Sequence, residues 1–429
     1  MIIINYKNLY LGLKVEGYIF FLLLALPKVL PLWKENKNFV FYFAFLSLIR
    51  TFASSICASA RTRLKMDEYT PYLDFLRYCL DDKTAPPESV SRIDWEQLYH
   101  FARRQTVEGT YWHGIERLGA SGQLKLSEEI VLGWMSRIKK VEKDNRMVYQ
   151  KAAWVWRNFS KEGFRSCVLK GQGNALLYPT PYLRTPGDID IWVEGGDEKV
   201  IAYVDSVKPG FRRIYHHIDF INAGKVPVEV HYRPSWMSNP LHNRRLQQWF
   251  LDHSDACFSN KQEEWGFCTP TFEFNCVYLL AHIYTHLLRE GVGLRHVVDY
   301  YHLLTKNADQ PRLSEKELRR LGLHKIASAL MWVLREYTSI DSSLLLCSPN
   351  KRMGRLLMEE ILIGGNFGKY DNRAMGGIAK TVMQRNIRVG MRDLRFLRYF
   401  PSECLCEPLF RIRHFIWRKR HPIKKEINE

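Results

Sequence analysis

Residues 166–193 read SCVLKGQGNALLYPTPYLRTPGDIDIWV, and the order of apolar runs, glycines and prolines in them decides the fold class. Residues 166–169 form a short apolar strand, followed by Lys170-Gly171-Gln172-Gly173 and a brief helical segment ending at Tyr178. Pro179, Pro181 and Pro186 punctuate the next loop, and a second strand covers 187–193. Side chains alternate between the two faces of a strand, so Asp188 and Asp190 share one face and Ile189, Ile191 and Val193 the other. Aspartate is a poor strand former and adjacent carboxylates repel, so a cation is expected between the pair.

A third carboxylate follows. Residues 211–222 and 226–232 read as the arms of a hairpin turning at Asn222-Ala223-Gly224-Lys225. In the second arm Val228, Val230 and Tyr232 face one way, and Glu229 and His231 the other. Asp188, Asp190 and Glu229 then make a cluster of hard oxygen ligands suited to Mg²⁺ or Mn²⁺. Metal ions held in this way clamp the attacking and leaving oxygens in phosphoryl and nucleotidyl transfer. Lys170, at the end of the first strand, is a candidate phosphate ligand. Arg184, four residues before Asp188, either binds phosphate through its planar fork or neutralises the acids. Gly171 and Gly173 permit close backbone approach at a helix start, where free N–H groups favour anions.

Leu169-Lys170-Gly171, Tyr178-Pro179, Arg184, Gly187-Asp188-Ile189-Asp190 and Val228-Glu229-Val230-His231 together resemble the uncharacterised nucleotidyltransferase family of bacteria, within the polymerase-β-like nucleotidyltransferase superfamily. The resemblance is tightest over 167–236 and extends more loosely over 95–304. It implies that Asp188 and Asp190 are metal ligands and that Glu229 is the third carboxylate and a general-base candidate. It also implies a nucleoside triphosphate (NTP) as donor, an acceptor that is a small molecule, a protein or RNA, and pyrophosphate as leaving group. The superfamily's usual Gly-Gly or Gly-Ser is replaced here by Lys170-Gly171-Gln172-Gly173, with a longer, proline-rich spacer before Asp188.

Gly171-Gln172-Gly173-Asn174-Ala175-Leu176 is a near match to a dinucleotide fingerprint, but Leu176 stands where the third glycine belongs. The prolines also leave too little helix for a βαβ crossover, which excludes that reading. His282 and His286 share one face of a helix spanning 272–288, where they either pack or bind a metal. Ile283 replaces the glutamate of a zinc-protease motif, so a protease is excluded. Arg295 and Asp299 are spaced for a local ion pair, Asp299 being alternatively an acceptor-orienting group. The loop Gly364-Gly365-Asn366-Phe367-Gly368 follows no strand and precedes no Lys-Ser/Thr, so it is not a P-loop.

The 429 residues carry a net charge of +18, concentrated at the ends: +7 in 1–65 and +8 in 379–429. Nine cysteines lie scattered without CxxC pairing, which excludes zinc-finger and disulfide frameworks and fits a reducing cytoplasm. Residues 1–65 form an apolar, basic extension whose runs at 18–26 and 39–49 are too short to span a membrane singly. They are read as a mis-called start ahead of Met66, a membrane-associated hairpin or a signal segment. Asp94 and Ser127 begin amphipathic helices, and Trp134, Trp154 and Trp156 on the second are expected in the core.

The expected fold is α+β, with a small mixed sheet flanked by helical segments. Its parts are a helical region at 66–160, the catalytic core at 161–260, a helical domain at 261–378 and a basic, aromatic tail at 379–429. The tail interleaves arginines with aromatics, which suits an anionic partner (RNA, a membrane surface or an acidic carrier protein) or a solvated basic face over a contact stripe. The alternatives to an enzyme are a catalytically idle nucleotide-binding module and an interaction protein of a biosynthetic or toxin–antitoxin system. Three intact acids argue for chemistry.

Overall fold

A computed structural model describes residues 66–122, 126–221, 226–373 and 382–423. The apolar extension at 1–65 and the turn at 222–225 lie outside the described residues. Four helices come first: α1 (Thr70–Leu80), α2 (Trp95–Gln105), α3 (Glu108–Ala120) and the long α4 (Glu128–Lys161). Each cap expected here is present. Asp94 accepts a hydrogen bond from the Gln97 amide at 3.0 Å, and Ser127 Oγ accepts one from Ile130 at 3.5 Å, each satisfying an amide with no partner inside its helix. Trp134 is buried on α4, whereas Trp154 is 41% exposed and faces solvent, because it lies off the helix's apolar stripe.

The sheet is built from β1 (Ser166–Leu169), β2 (Ile189–Val193), β3 (His217–Asp219) and β4 (Val228–His231), in the order β1-β2-β4-β3. A short helix α5 (Gly171–Ala175) leaves β1, and α6 (Gly196–Val207) connects β2 towards β3. β1 and β3 run antiparallel to their neighbours, while β2 and β4 are parallel. The sheet is mixed and small, and the fold is α+β. Gly187 and Asp188 stay outside the ladder, so the second strand begins two residues later than the sequence pattern places it.

The two sheet faces are buried in different ways. Val168, Ile189, Ile191, Val193, Val228 and Val230 pack into an apolar cluster with α4 and α6. On the opposite face Cys167, Leu169 and Trp192 join a larger cluster built from the helices. Those helices are α7 (Pro240–Asp252), α8 (Ser254–Ser259), α9 (Phe272–Arg289), α10 (Leu294–Lys306), α11 (Glu315–Arg320), α12 (His324–Tyr337) and α13 (Lys351–Gly364). Two more, α14 (Val382–Phe396) and α15 (Pro401–Arg420), return to the sheet end of the molecule. Phe410 stacks on Trp236 with ring centroids 3.9 Å apart, and Trp417 Nε1 donates to Asp197 at 2.8 Å. Glu403 accepts from the Ser238 and Asn239 amides at 2.6 and 3.1 Å. The basic tail is thus docked through a buried aromatic and acidic stripe. Among the described residues no helix is long and apolar enough to cross a membrane.

Candidate active site

Register brings the acids together. Asp190 on β2 pairs directly with Glu229 on the parallel β4, and Asp219 on β3 pairs with Glu229 from the other side. His231 lies two residues beyond Glu229 on the same face and pairs with His217. Asp190, Glu229, His231, His217 and Asp219 therefore converge, and ligand atoms of Asp190, Glu229 and His231 all lie within 4.8 Å of one another. Asp188 stands just outside the ladder with its carboxylate exposed at the mouth of the site.

Two of the protein's own basic groups lie against Asp190. Lys170 Nζ lies 3.0 Å from Asp190 Oδ1, and His231 Nε2 lies 2.9 Å from the same oxygen. Burial works against the Asp190 carboxylate, but these two groups outweigh it and hold its pKa well below the ordinary carboxylate range. Burial also opposes charge on His231, yet hydrogen bonds to Asp190 and Glu229 push its pKa up to about 9. Asp188 moves the other way: the charge of Asp190 first, and then burial, raise its carboxyl. His217 is held neutral down to about 4 by burial and by the charge of His231, and its Nδ1 lies 3.1 Å from Glu229. The pairing of His217 with the acids is the part that sequence reading missed, since β3 brings it there only through long-range register.

The glycines and Arg184 have placements of their own. A side chain at Gly173 would come within 2.8 Å of the Val168 carbonyl, so this glycine serves the packing of α5 on β1. Gly171 has φ +32 and lets the chain turn sharply out of β1 beneath Asp188. Arg184 is buried and forks onto Asp299, with Nε 2.7 Å from Oδ1 and Nη2 2.8 Å from Oδ2. Tyr178 donates to the same carboxylate at 2.6 Å, and Asn145 donates to the Arg184 carbonyl at 2.7 Å. Arg184 and Asp299 thus pin the proline-rich loop to α10, and Asp299 pairs with Arg184 where the sequence spacing favours Arg295.

Arg295 is the basic group that this arrangement releases. Its Nη1 donates to the Thr185 carbonyl at 3.3 Å, and burial and the charge of Arg184 lower its pKa. It lines a cleft of about 990 Å³ together with Lys170, Asp188, Asp190, Glu229 and the histidines at 216, 217, 231, 282, 286 and 296. His282 and His286 lie on the cleft wall with ring centroids 4.3 Å apart, and His286 Nδ1 is 3.2 Å from Glu290. Arg212, Arg289, Arg388, Arg411 and Arg418 complete a basic rim. Arg289 and Arg411 are tied to Glu407, at 3.6 and 2.6 Å.

Comparison with known proteins gives this geometry a family. The model of an uncharacterised nucleotidyltransferase family matches residues 91–339, more than half of the chain. The chain belongs to that nucleotidyltransferase family. The family region holds the whole sheet, α9, α10 and all three predicted carboxylates. No curated protein matches. Among solved structures, the Thermotoga maritima CCA-adding enzyme complexed with tRNA_CCA is similar at 13% identity, over 68% of this chain and 88% of that one. Its TM-score of 0.17 is too low for the two to be compared residue by residue.

Proposed function

We propose that this nucleotidyltransferase moves a nucleoside monophosphate from an NTP to an acceptor hydroxyl or amine. The acceptor heteroatom bonds to the α-phosphorus, the bond from that phosphorus to the bridging oxygen breaks, and pyrophosphate leaves. The observation that carries this reading is the direct pairing of Asp190 with Glu229 on parallel strands, beside Asp188 at the mouth of a large cationic cleft.

The acids fit a divalent cation. Carboxylate oxygens of Asp190 and Glu229 converge within ligand-sharing distance, with His231 as their hydrogen-bond partner, and Asp188 adds a carboxylate lining the same cleft. Asp188, Asp190 and Glu229 would hold Mg²⁺ or Mn²⁺, which supplies charge neutralisation at the reacting phosphate. The chain's own groups do the rest. Glu229, held ionised by its hydrogen bond to His231 against the effect of burial, is the residue assigned to receive the acceptor's proton. Arg295, and Lys170 with the N–H donors that its ion pair with Asp190 leaves over, face the site as cations for the triphosphate, and Arg184 holds the loop that carries Asp188.

The test is nucleotide binding and pyrophosphate release by the full chain with ATP, GTP, CTP and UTP, each with and without Mg²⁺. A ligand at 100 times its Kd adds about 2.7 kcal/mol of stability, readily seen as a thermal shift. Metal-dependent binding lost in Asp188→Ala/Asp190→Ala supports the reading. Binding to no nucleotide under any of these conditions refutes it.

A further inference from the structure

The loop at 364–368, excluded above as a P-loop, contributes Phe367 to the lining of the active-site cleft. Phe367 within it has φ +56 and ψ +26, the left-handed region that a bulky side chain rarely enters. The loop is locked there by backbone contact. Gly291 and Gly368 approach so closely that a Cβ on Gly291 would lie 2.8 Å from Gly368 Cα, and one on Gly368 would collide with the Glu290 carbonyl. A Cβ on Gly293 would meet Asn366 Cα at 3.0 Å. Strain of this kind persists only where surrounding structure over-determines it, and it concentrates at ligand clamps.

The strained backbone aims a ring into the cleft. Phe367 lines it beside His286, at 5.1 Å between centroids, and His296, at 6.0 Å, with the Arg295 guanidinium 5.9 Å from its own centroid. Both histidine rings are inclined to it, at 55° and 83°, so among the described residues no ring lies flat on Phe367. Of the other large aromatics lining the cleft, Trp236 and Phe410 stack on each other at 3.9 Å, with Arg289 4.2 Å from the Trp236 ring, and Tyr215 has Phe410 on its edge and Arg233 and Arg413 at 4.6 and 4.8 Å. His282 and His296 are kept neutral by burial, so these two present rings rather than charge. Arg295, beside the Phe367 ring, also feels the charges of Asp299 and Asp188.

We propose that Phe367 is the stacking platform for the nucleobase of the donor, with His286 and His296 as the edges of that subsite and Arg295 turning the attached phosphates towards Asp188. The assignment rests on the nucleotidyl-transfer reading and adds where the base lies. A base offers a flat π-face to such a platform whatever its identity, and stacking of this kind is worth about 1–3 kcal/mol, or roughly 5- to 150-fold in affinity.

The experiment titrates the full chain calorimetrically with Mg²⁺ and either ATP or inorganic tripolyphosphate, which has the phosphates without the base. Phe367→Asn is the informative variant, since asparagine tolerates left-handed backbone and the loop can keep its shape. ATP should bind this variant about tenfold more weakly, while tripolyphosphate stays within about twofold of wild type. Phe367→Trp should keep the preference for ATP. Thermal unfolding of Phe367→Asn should be no lower than wild type, because released strain offsets the lost ring contacts. Unchanged ATP affinity in Phe367→Asn, or equal losses for both ligands, overturns the assignment while leaving nucleotidyl transfer standing. Wild-type protein that binds neither tripolyphosphate nor any of ATP, GTP, CTP and UTP overturns both.

Discussion

The sheet face that carries Asp190 and Glu229 and the helical wall opposite it do the same job, lining one cleft, but are built on different principles. The acids come from adjacent strands, where alternation and one register fix every side chain. The wall is assembled from α9, α10, the loop at 364–368, α14 and α15, segments spread over more than a hundred residues. Its charged groups are largely spoken for: Asp299 by Arg184, Arg289 and Arg411 by Glu407. On the sheet face opposite charges meet around the clustered acids, and on the wall they mostly hold the protein together. The comparison teaches that a cation in the cleft is a ligand-binding group only after its internal partners have been counted.

Substitutions at five positions would break or sharpen this contrast. The largest effect belongs to the sheet. Asp190→Asn should lower nucleotidyl transfer at least about a hundredfold, since removing charge stabilisation at the reacting phosphate costs several kcal/mol. It should also destabilise the fold, because Lys170 and His231 lose their buried counter-ion. Asp188→Asn should match the loss of turnover and keep or raise the melting temperature, because a carboxylate repelled by Asp190 is removed. Equal melting temperatures for the two variants would contradict the charge assignments.

On the wall, Arg184→Ala leaves Asp299 buried without its fork and should cost about 3–5 kcal/mol in urea unfolding, with Arg184→Lys a poor rescue. Arg295→Ala is the counterpart that tests recognition. It should leave unfolding nearly unchanged and weaken tripolyphosphate binding on the order of tenfold, the worth of a charge-assisted hydrogen bond. A reversed pattern, with Arg184 governing affinity and Arg295 governing stability, would invert the roles assigned to the two arginines.

The smallest effect is a pH dependence on the α14 side. Burial first, and then the charge of Glu407, push the Asp393 carboxyl up to about 7. Between about pH 4 and 7 the folded chain therefore keeps a proton that the unfolded chain has released. The contribution of this group to stability falls as pH rises through that window. Asp393→Asn should melt about 2 °C or more above wild type at pH 8 and match it at pH 4.

How much of this was legible in the sequence follows the same division. The 166–169 strand, the caps at Asp94 and Ser127 and the facing of Asp190, Glu229 and His231 are local, and alternation or capping chemistry specifies them. The parallel pairing of β2 with β4 is not local, so the sequence yields the three acids but not that Asp190 and Glu229 lie side by side. Arg184 and Arg295 show the limit most clearly. Spacing of four residues favours Arg295 as the partner of Asp299, yet Arg184, 115 positions away, brings a buried fork that satisfies both carboxylate oxygens. Lys170 illustrates a subtler gap: a strand-end lysine reads as a free point charge until the fold lays it against Asp190.

The glycine contact between residues 291 and 368 has an evolutionary side. Gly291 lies inside the family region at 91–339, whereas Gly368 and Phe367 lie beyond it, as do the cleft-lining residues of α14 and α15. The candidate acids, α9 and α10 thus lie inside the family region, and Phe367, α14 and α15 outside it. A change in the outer part of the wall would remodel the cleft without altering a single carboxylate. The bare backbone at Gly291 is the seam along which such remodelling has to remain compatible.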